Sequence, residues 1–278
     1  MLGGLRLKHK QNLHIHTTYV DGKDSPEEII LDAINKNFDS IGFSEHSYTK
    51  FSNFPGQLTM PKMKAYRKEV LDLKDKYSDK IDIFCGLEYE FTSDLNTEDY
   101  DYLIGSVHYL DCDGKIVTFD RGLQDILDYI NTYFGGNSFA FAKKYFETVA
   151  MLPTKKNFDI LGHFDLISKH NMTGQYIDTS AKEYLNLGFE AIHSLKGKIP
   201  FFEVNTGALA RGLQAFPYPQ MEFLKEFKDC DFGVLITSDC HDKNYLDSCY
   251  TESEEYIKQA GFTSKWILTN NGFKEVKL

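Results

Sequence analysis

Six histidines and two carboxylates stand where they could share metal ions: His14, His16, His46, His108, His163 and His241, with Glu88 and Asp239. Neutral imidazole and carboxylate are the ligands that divalent transition metals take from proteins. A single histidine is more often a surface or hydrogen-bonded residue than a ligand, so the argument rests on placement. Each of the eight closes or follows a short, β-rich apolar run. His14 and His16 end the run 11–16, His46 follows 39–43, Glu88 follows 81–87 and His108 follows 102–107. His163 comes after 158–162, and Asp239 and His241 come after 232–237. Residues i and i+2 of a strand point the same way, so His14 and His16 can grip one ion together, and so can Asp239 and His241. Eight ligands exceed the roughly four to six positions of one ion. A cluster of two or three metals is therefore expected, with a carboxylate as bridge. His9, His170 and His193 have no such setting and read as non-ligands.

These groups meet only if the runs are strands whose ends share one face. Further runs lie at 200–205 and 265–269, and amphipathic stretches separate them. The first stretch has Ser25 as cap, Pro26 in the first turn, Glu28 to complete a capping box, and Ile29, Ile30, Ala33 and Ile34 on one face. Similar patterns cover 61–77, 179–195, 218–228 and 251–260. Seven or eight β-then-α units predict an α/β fold of the (β/α)-barrel type, whose active sites form at the C-terminal ends of the strands. No G-x-G-x-x-G supports the rival, an open doubly wound sheet. The interval of about 119–152 breaks the rhythm. It reads as a helical insertion, either extra core or a lid, within one domain spanning 1–278.

Composition narrows the function. The chain has 278 residues, and 31 Lys and Arg against 41 Asp and Glu give a net charge of −10, which disfavours a broad nucleic-acid-binding face. The beginning, MLGGLRLKHK, lacks the apolar stretch of an export signal, and no run is long enough to span a membrane. Five scattered cysteines without a C-x-x-C pair read as free thiols. A cytoplasmic enzyme with a small-molecule substrate is expected.

Six segments, in order, resemble the polymerase and histidinol phosphatase (PHP) superfamily: HIHTTYVDG (14–22), GFSEHS (42–47), GLEYE (86–90), SVHY (106–109), GHFDL (162–166) and TSDCH (237–241). The resemblance implies a distorted seven-stranded (β/α) barrel with a trinuclear site. One ion would take His14, His16, Glu88 and Asp239, and a second Glu88, His108 and His163. The third would take Asp21, His46 and His241. Asp21 comes from the resemblance alone; by spacing it is a turn residue before Gly22. Within the superfamily the chain is most similar to stand-alone histidinol-phosphate phosphatases, in the SPEEII helix, the GLEYE form, the insertion before GHFDL and the segment NTGALARG (205–212). That likeness implies hydrolysis of L-histidinol phosphate to L-histidinol and phosphate in histidine biosynthesis, by attack of a metal-bridging hydroxide.

Glu88, Asp239 and His241 are the residues expected to carry the chemistry, with three divalent ions (Zn, Mn or Fe) as cofactors. Arg211, one of only four Arg, follows the sixth strand and is expected to clamp phosphate. Glu45 and Asp165 are candidates for orienting ligand histidines. The alternatives are a phosphoesterase acting on nucleic-acid ends or on another small ester, a barrel hydrolase of C–N bonds, and a non-enzymatic metal-binding module. Glu88, where such C–N hydrolases commonly carry a carbamylated Lys, favours phosphate chemistry.

Overall fold

The computed structural model describes residues 9–50 and 57–278; the first eight residues of the MLGGLRLKHK segment lie outside them. The strands are β1 (Gln11–Asn12), β2 (Ser40–His46), β3 (Asp82–Glu90), β4 (Tyr102–Ser106), β5 (Tyr109–Cys112), β6 (Lys115–Thr118), β7 (Ile160–Leu161), β8 (Phe201–Asn205), β9 (Gly233–Thr237), β10 (Ser264–Thr269) and β11 (Gly272–Lys277). Seven of them form one parallel sheet in the order β1-β2-β3-β4-β7-β8-β9. A bridge between Ile15 and Cys240 closes the ends, with His16 N–H donating to Cys240 O at 2.8 Å and Cys240 N–H to His14 O at 3.0 Å. The result is a TIM-like barrel, and its closing seam runs through two of the histidine motifs.

The helices are α1 (Pro26–Asn35), α2 (Met60–Lys76), α3 (Leu123–Phe134), α4 (Ser138–Ala150), α5 (Asn171–Gly174), α6 (Lys182–Leu195), α7 (Gly207–Ala210), α8 (Met221–Asp229) and α9 (Tyr250–Gln259). α1 starts as its sequence predicts. Ser25 Oγ accepts from Glu28 N–H, the Glu28 carboxylate accepts from Ser25 N–H, and Ile29, Ile30 and Ala33 are buried. No helix among the described residues is long and apolar enough to cross a membrane.

Inside the barrel, Leu13, Phe84, Tyr102, Ile104, Ile160, Phe201 and Leu235 form a separate apolar cluster. Tyr102 fits because two neighbours are glycine; a Cβ on Gly42 or Gly86 would collide with it. Its hydroxyl donates to Leu13 O at 2.5 Å and Phe43 O at 3.1 Å, so this interior phenol is not left unpaired. The antiparallel hairpin β10–β11 stoppers the end where the strands begin. Leu268 joins the cluster, Trp266 and Phe273 pack on Phe201, and the Gln11 amide bonds both Leu268 N–H and Leu268 O. The run 265–269 is thus one arm of a capping hairpin, not a barrel strand.

The insertion has two characters. α4 buries Phe141, Tyr145, Phe146 and Val149 and packs against α6, with Phe146 ringed by Phe164, Tyr184 and Phe223. This is outer-layer core rather than a loose flap. The residues just before α3, Thr118, Asp120 and Arg121, instead line the cavity at the strand ends. The hairpin β5–β6, which has no counterpart in the sequence reading, leads into them.

Candidate metal centre

The strand ends gather every ligand that the motifs nominated. Glu88, on β3, is the hub. Its Oε1 lies 2.9 Å from His163 Nε2, 3.4 Å from His14 Nε2 and 3.5 Å from His108 Nε2. Its Oε2 lies 2.5 Å from His46 Nδ1 and 3.6 Å from His16 Nε2. One carboxylate therefore faces five imidazoles, with a separate oxygen toward each side. Asp239 Oδ1 stands 3.3 Å from His16 Nε2, 3.7 Å from His14 Nε2 and 3.4 Å from His241 Nδ1. Asp21 approaches His241 Nε2 at 3.4 Å and His46 Nε2 at 3.7 Å.

Three overlapping sets have donor atoms within 4.8 Å of one another: His14, His16 and Asp239; His46, Glu88 and His108; and His16, Asp21, His46 and His241. This division differs from the one the resemblance implies, because His16 and His46 each belong to two sets and His163 reaches only Glu88. Hydrogen bonding within the protein does not account for the arrangement. His14 Nε2 and His16 Nε2 are buried yet make no hydrogen bond. Buried polar atoms are ordinarily satisfied, and donors of this chemistry pointed at common centres fit divalent ions.

Local backbone geometry does the aiming. Asp239 adopts a left-handed conformation, φ +46°, which Asp tolerates better than most residues and which lets the chain turn between β9 and the Cys240 bridge. Asp21 sits in a tight turn in which Val20 N–H and Gly22 N–H both donate to Thr17 O. A Cβ at Gly22 would collide with the His16 carbonyl, so glycine lets this turn close over the second histidine.

Behind the imidazoles stands a further set of carboxylates, two of which the motifs did not reveal. Glu203, on β8 and 1% exposed, lies 2.9 Å from His14 Nδ1. It also accepts from His163 N–H at 2.7 Å, Asn205 Nδ2 at 2.9 Å and Thr237 Oγ1 at 2.8 Å. Glu90 accepts from His108 N–H at 2.8 Å and lies 3.0 Å from His108 Nδ1. Such partners fix the tautomer and ring plane, leaving Nε2 directed at the cluster. Glu45 lies 3.8 Å from His16 Nδ1 and holds the Thr17 N–H and hydroxyl. Asp165 does not act this way. Its carboxylate accepts from Gln220 N–H, no histidine bond is present, and burial pushes its carboxyl up to about 7. Both missed residues carried a signal: Glu90 is two residues from Glu88 on one strand face, and Glu203 interrupts an apolar strand.

The electrostatics are those of a preformed cation site. Burial opposes ionisation of Glu88, but His46, His14 and His108 hold its carboxyl well below the usual range. Burial likewise opposes the Asp239 carboxylate, and His14, His16 and His241 pull it down. The converse holds for the imidazoles. Burial lowers His14, and Glu203, Glu88 and Asp239 outweigh it to raise it well above its ordinary value. His46 is pushed up to about 10, burial being outweighed chiefly by Glu88 and then Asp21. In the protein alone, protons supply the positive charge that these carboxylates require. Metal ions would supply it by displacing them.

Above the cluster is a cavity of about 330 Å³. His46, His108, His163, Asp239 and His241 line it, while His14, His16 and Glu88 lie beneath. Arg211, Arg121 and Lys169 supply cationic groups to its wall. Arg211 lies at this mouth; Nη1 donates to Asp239 O at 3.2 Å and Nη2 lies 3.6 Å from Asp239 Oδ2. Lys169 pairs with Asp120 at 2.7 Å.

The chain is 27% identical over 283 residues to the histidinol-phosphatase of Lactococcus lactis, covering 95% of this chain and 96% of that one. It is 23% identical over 265 residues to the histidinol-phosphatase of Bacillus subtilis, covering 87% and 97%. A crystal structure of the L. lactis histidinol phosphate phosphatase, complexed with zinc, L-histidinol and phosphate, superposes with a TM-score of 0.74 at 20% identity over 96% of this chain, a likeness of fold. The PHP domain family matches residues 12–206, a span that takes in His14 and His16 near its start and Glu203 near its end. With its barrel, its ordered motifs and that match over most of its length, the chain belongs to the PHP domain family.

Proposed function

We propose that the protein is a metal-dependent phosphomonoesterase that hydrolyses L-histidinol phosphate to L-histidinol and phosphate. The observation that carries this reading is the cavity itself. Its floor is a bed of nine His, Asp and Glu side chains suited to divalent ions, and its wall carries Arg and Lys beside space for a small ester. A dianionic phosphate needs both, whereas a polymer needs an open groove. The relatives named histidinol-phosphatase supply the substrate.

His14, His16 and Asp239 would hold one ion, Glu88 with His108, His46 and His163 a second, and Asp21, His46, His16 and His241 a third. Ions there would lower the pKa of water and neutralise ester oxygens. Zn, Mn and Fe all suit this donor set. Glu88 keeps the two sides of the cluster at a fixed separation through its two oxygens. Glu203 and Glu90 hold His14 and His108 in the tautomer that leaves Nε2 free. Arg211 holds phosphate oxygens from the wall. Asp239 and His241 would hold their ions at the cavity surface, and water admitted there would supply the proton that the leaving alkoxide takes up.

The test is a substrate panel of histidinol phosphate, 4-nitrophenyl phosphate and single-stranded DNA, before and after chelation. The expected result is metal-dependent turnover with histidinol phosphate strongly preferred. Preferred release of nucleotides from DNA would overturn the reading in favour of a nuclease, and undiminished turnover after rigorous metal removal would overturn the metal assignment.

A further inference from the structure

A second cluster of donor atoms lies at the opposite end of the barrel. α6 leads into β8 and α8 into β9, so both helices finish where the strands begin, away from the cavity. His193 is in the last turn of α6, Glu226 in that of α8, and Cys230 immediately follows α8. His193 Nε2 lies 2.6 Å from Glu226 Oε1, and Cys230 Sγ lies 3.9 Å from the same oxygen. The three donor atoms fall within 4.8 Å of one another. We propose that His193, Glu226 and Cys230 form a peripheral binding site for a borderline-soft divalent cation of the Zn²⁺ type, separate from the cluster at the strand ends.

Five features support it. Thiolate, imidazole and carboxylate together are zinc chemistry, and three protein ligands leave one position for water. Glu226 and Cys230 are four residues apart, on one face of α8, and His193 comes across from the packed neighbour α6. Two helix C-termini meet there, and each presents partial negative charge that favours a cation. Glu226, Asp229 and Asp231 surround the thiol with further negative charge, against the opposing Lys196. Access is from the histidine side: the His193 side chain is 58% exposed, whereas Cys230 is 8% exposed and borders a surface cleft. Burial and Glu226 raise the free thiol, so binding releases its proton to solvent and puts the ion in its place.

Cysteine is absent from all nine cluster candidates, which makes the site separable by spectroscopy. Protein already loaded with its cluster metals is titrated with Co²⁺, and thiolate-to-cobalt charge-transfer absorption is followed in the near ultraviolet. Wild type should develop the band. Cys230→Ser should lack it, and His193→Ala should need more Co²⁺ to reach it. Zinc content should fall by one ion per chain in Cys230→Ser, with phosphatase activity unchanged. The proposal is overturned if wild type gives no band, if the band survives in Cys230→Ser, or if the zinc count is the same in both. A parallel loss of activity in Cys230→Ser would overturn the separation from the catalytic cluster.

Discussion

The two ends of this barrel are built from the same seven strands to opposite specifications. Where the strands begin, Leu13, Phe84, Tyr102, Phe201 and Leu235 fill the interior, Leu268 seals it, and the buried Tyr102 hydroxyl is bonded twice. Where they finish, His14, His16 and Glu88 are just as buried, yet several of their polar atoms have no hydrogen bond. A buried unsatisfied polar atom costs roughly 1–3 kcal/mol. The sealed end contributes stability, and the open end gives some of it up to hold charges in place. Substitutions should therefore separate into two kinds.

The largest contrast is Glu88→Ala against Leu268→Ala. Removing Glu88 takes away the oxygens that face five imidazoles, so turnover should fall by orders of magnitude with lost metal, while the barrel stays folded. Leu268→Ala should lower unfolding free energy by about 2–4 kcal/mol and leave kcat of the folded enzyme unchanged. Metal analysis, calorimetry and kcat on both variants check this. The division between the ends fails if Glu88→Ala keeps near-normal turnover with its metals in place.

Arg211→Ala probes the wall rather than the floor. Loss of a charge-assisted contact to phosphate should weaken transition-state binding by about 1.5–3 kcal/mol, or about 10- to 150-fold in kcat/KM. Metal content should not change, because Asp239 keeps its imidazole partners. Arg211→Lys should recover only part of the loss, since a point charge cannot make a two-pronged contact. A loss under about threefold in the Ala variant would leave Arg211 as a partner of Asp239 alone.

Glu203→Gln sharpens the comparison from behind the cluster. Glu203 bonds the His14 ring and the His163 backbone; both imidazoles face Glu88 Oε1, and His14 alone of the two also approaches Asp239. Its loss should cost about 10- to 100-fold in metal affinity or activity and should weaken two ions together. Glu90→Gln, touching His108 alone among the ligands, should weaken one. Equilibrium titration with Zn²⁺ distinguishes the two patterns, and equal, single-ion losses would remove Glu203 from its linking role.

The barrel and the cluster were legible because both rest on periodic signals. Polar residues at the ends of six apolar runs place the ligands on one face once the runs are read as parallel strands, and H-x-H survives any register. Asp21 was readable only through the family resemblance, since its role depends on a turn packed by Gly22 against the His16 carbonyl, a contact between chain segments that spacing does not encode. Glu203 was passed over because a lone carboxylate in an apolar strand reads as a strand end until its four partners are assembled. The hairpin β5–β6 carried too little alternation to show. His193 illustrates the reverse: on its own helix it is a solvated histidine, and its neighbours Glu226 and Cys230 arrive only when α6 and α8 pack.

The smallest expected effect lies at the sealed end. Asp159, just before β7, is partly buried, and its carboxylate accepts from Leu103 N–H at 2.9 Å. Burial raises its carboxyl above the usual value, and that hydrogen bond only partly opposes the rise. A carboxyl raised in the folded state holds its proton more tightly there than in the unfolded chain. Stability from this group is therefore fully present below the unfolded value near 4 and is lost as pH rises through the folded one. Asp159→Asn cannot ionise and retains an oxygen for Leu103 N–H. It should melt about 1–3 °C above wild type at pH 8, with the gain shrinking as pH approaches 4. Because the metal ligands lie at the other end, kcat should be unchanged. Melting curves of the two proteins across pH 4–8 decide it, and a gain independent of pH would mean that the carboxylate charge is not what limits stability there.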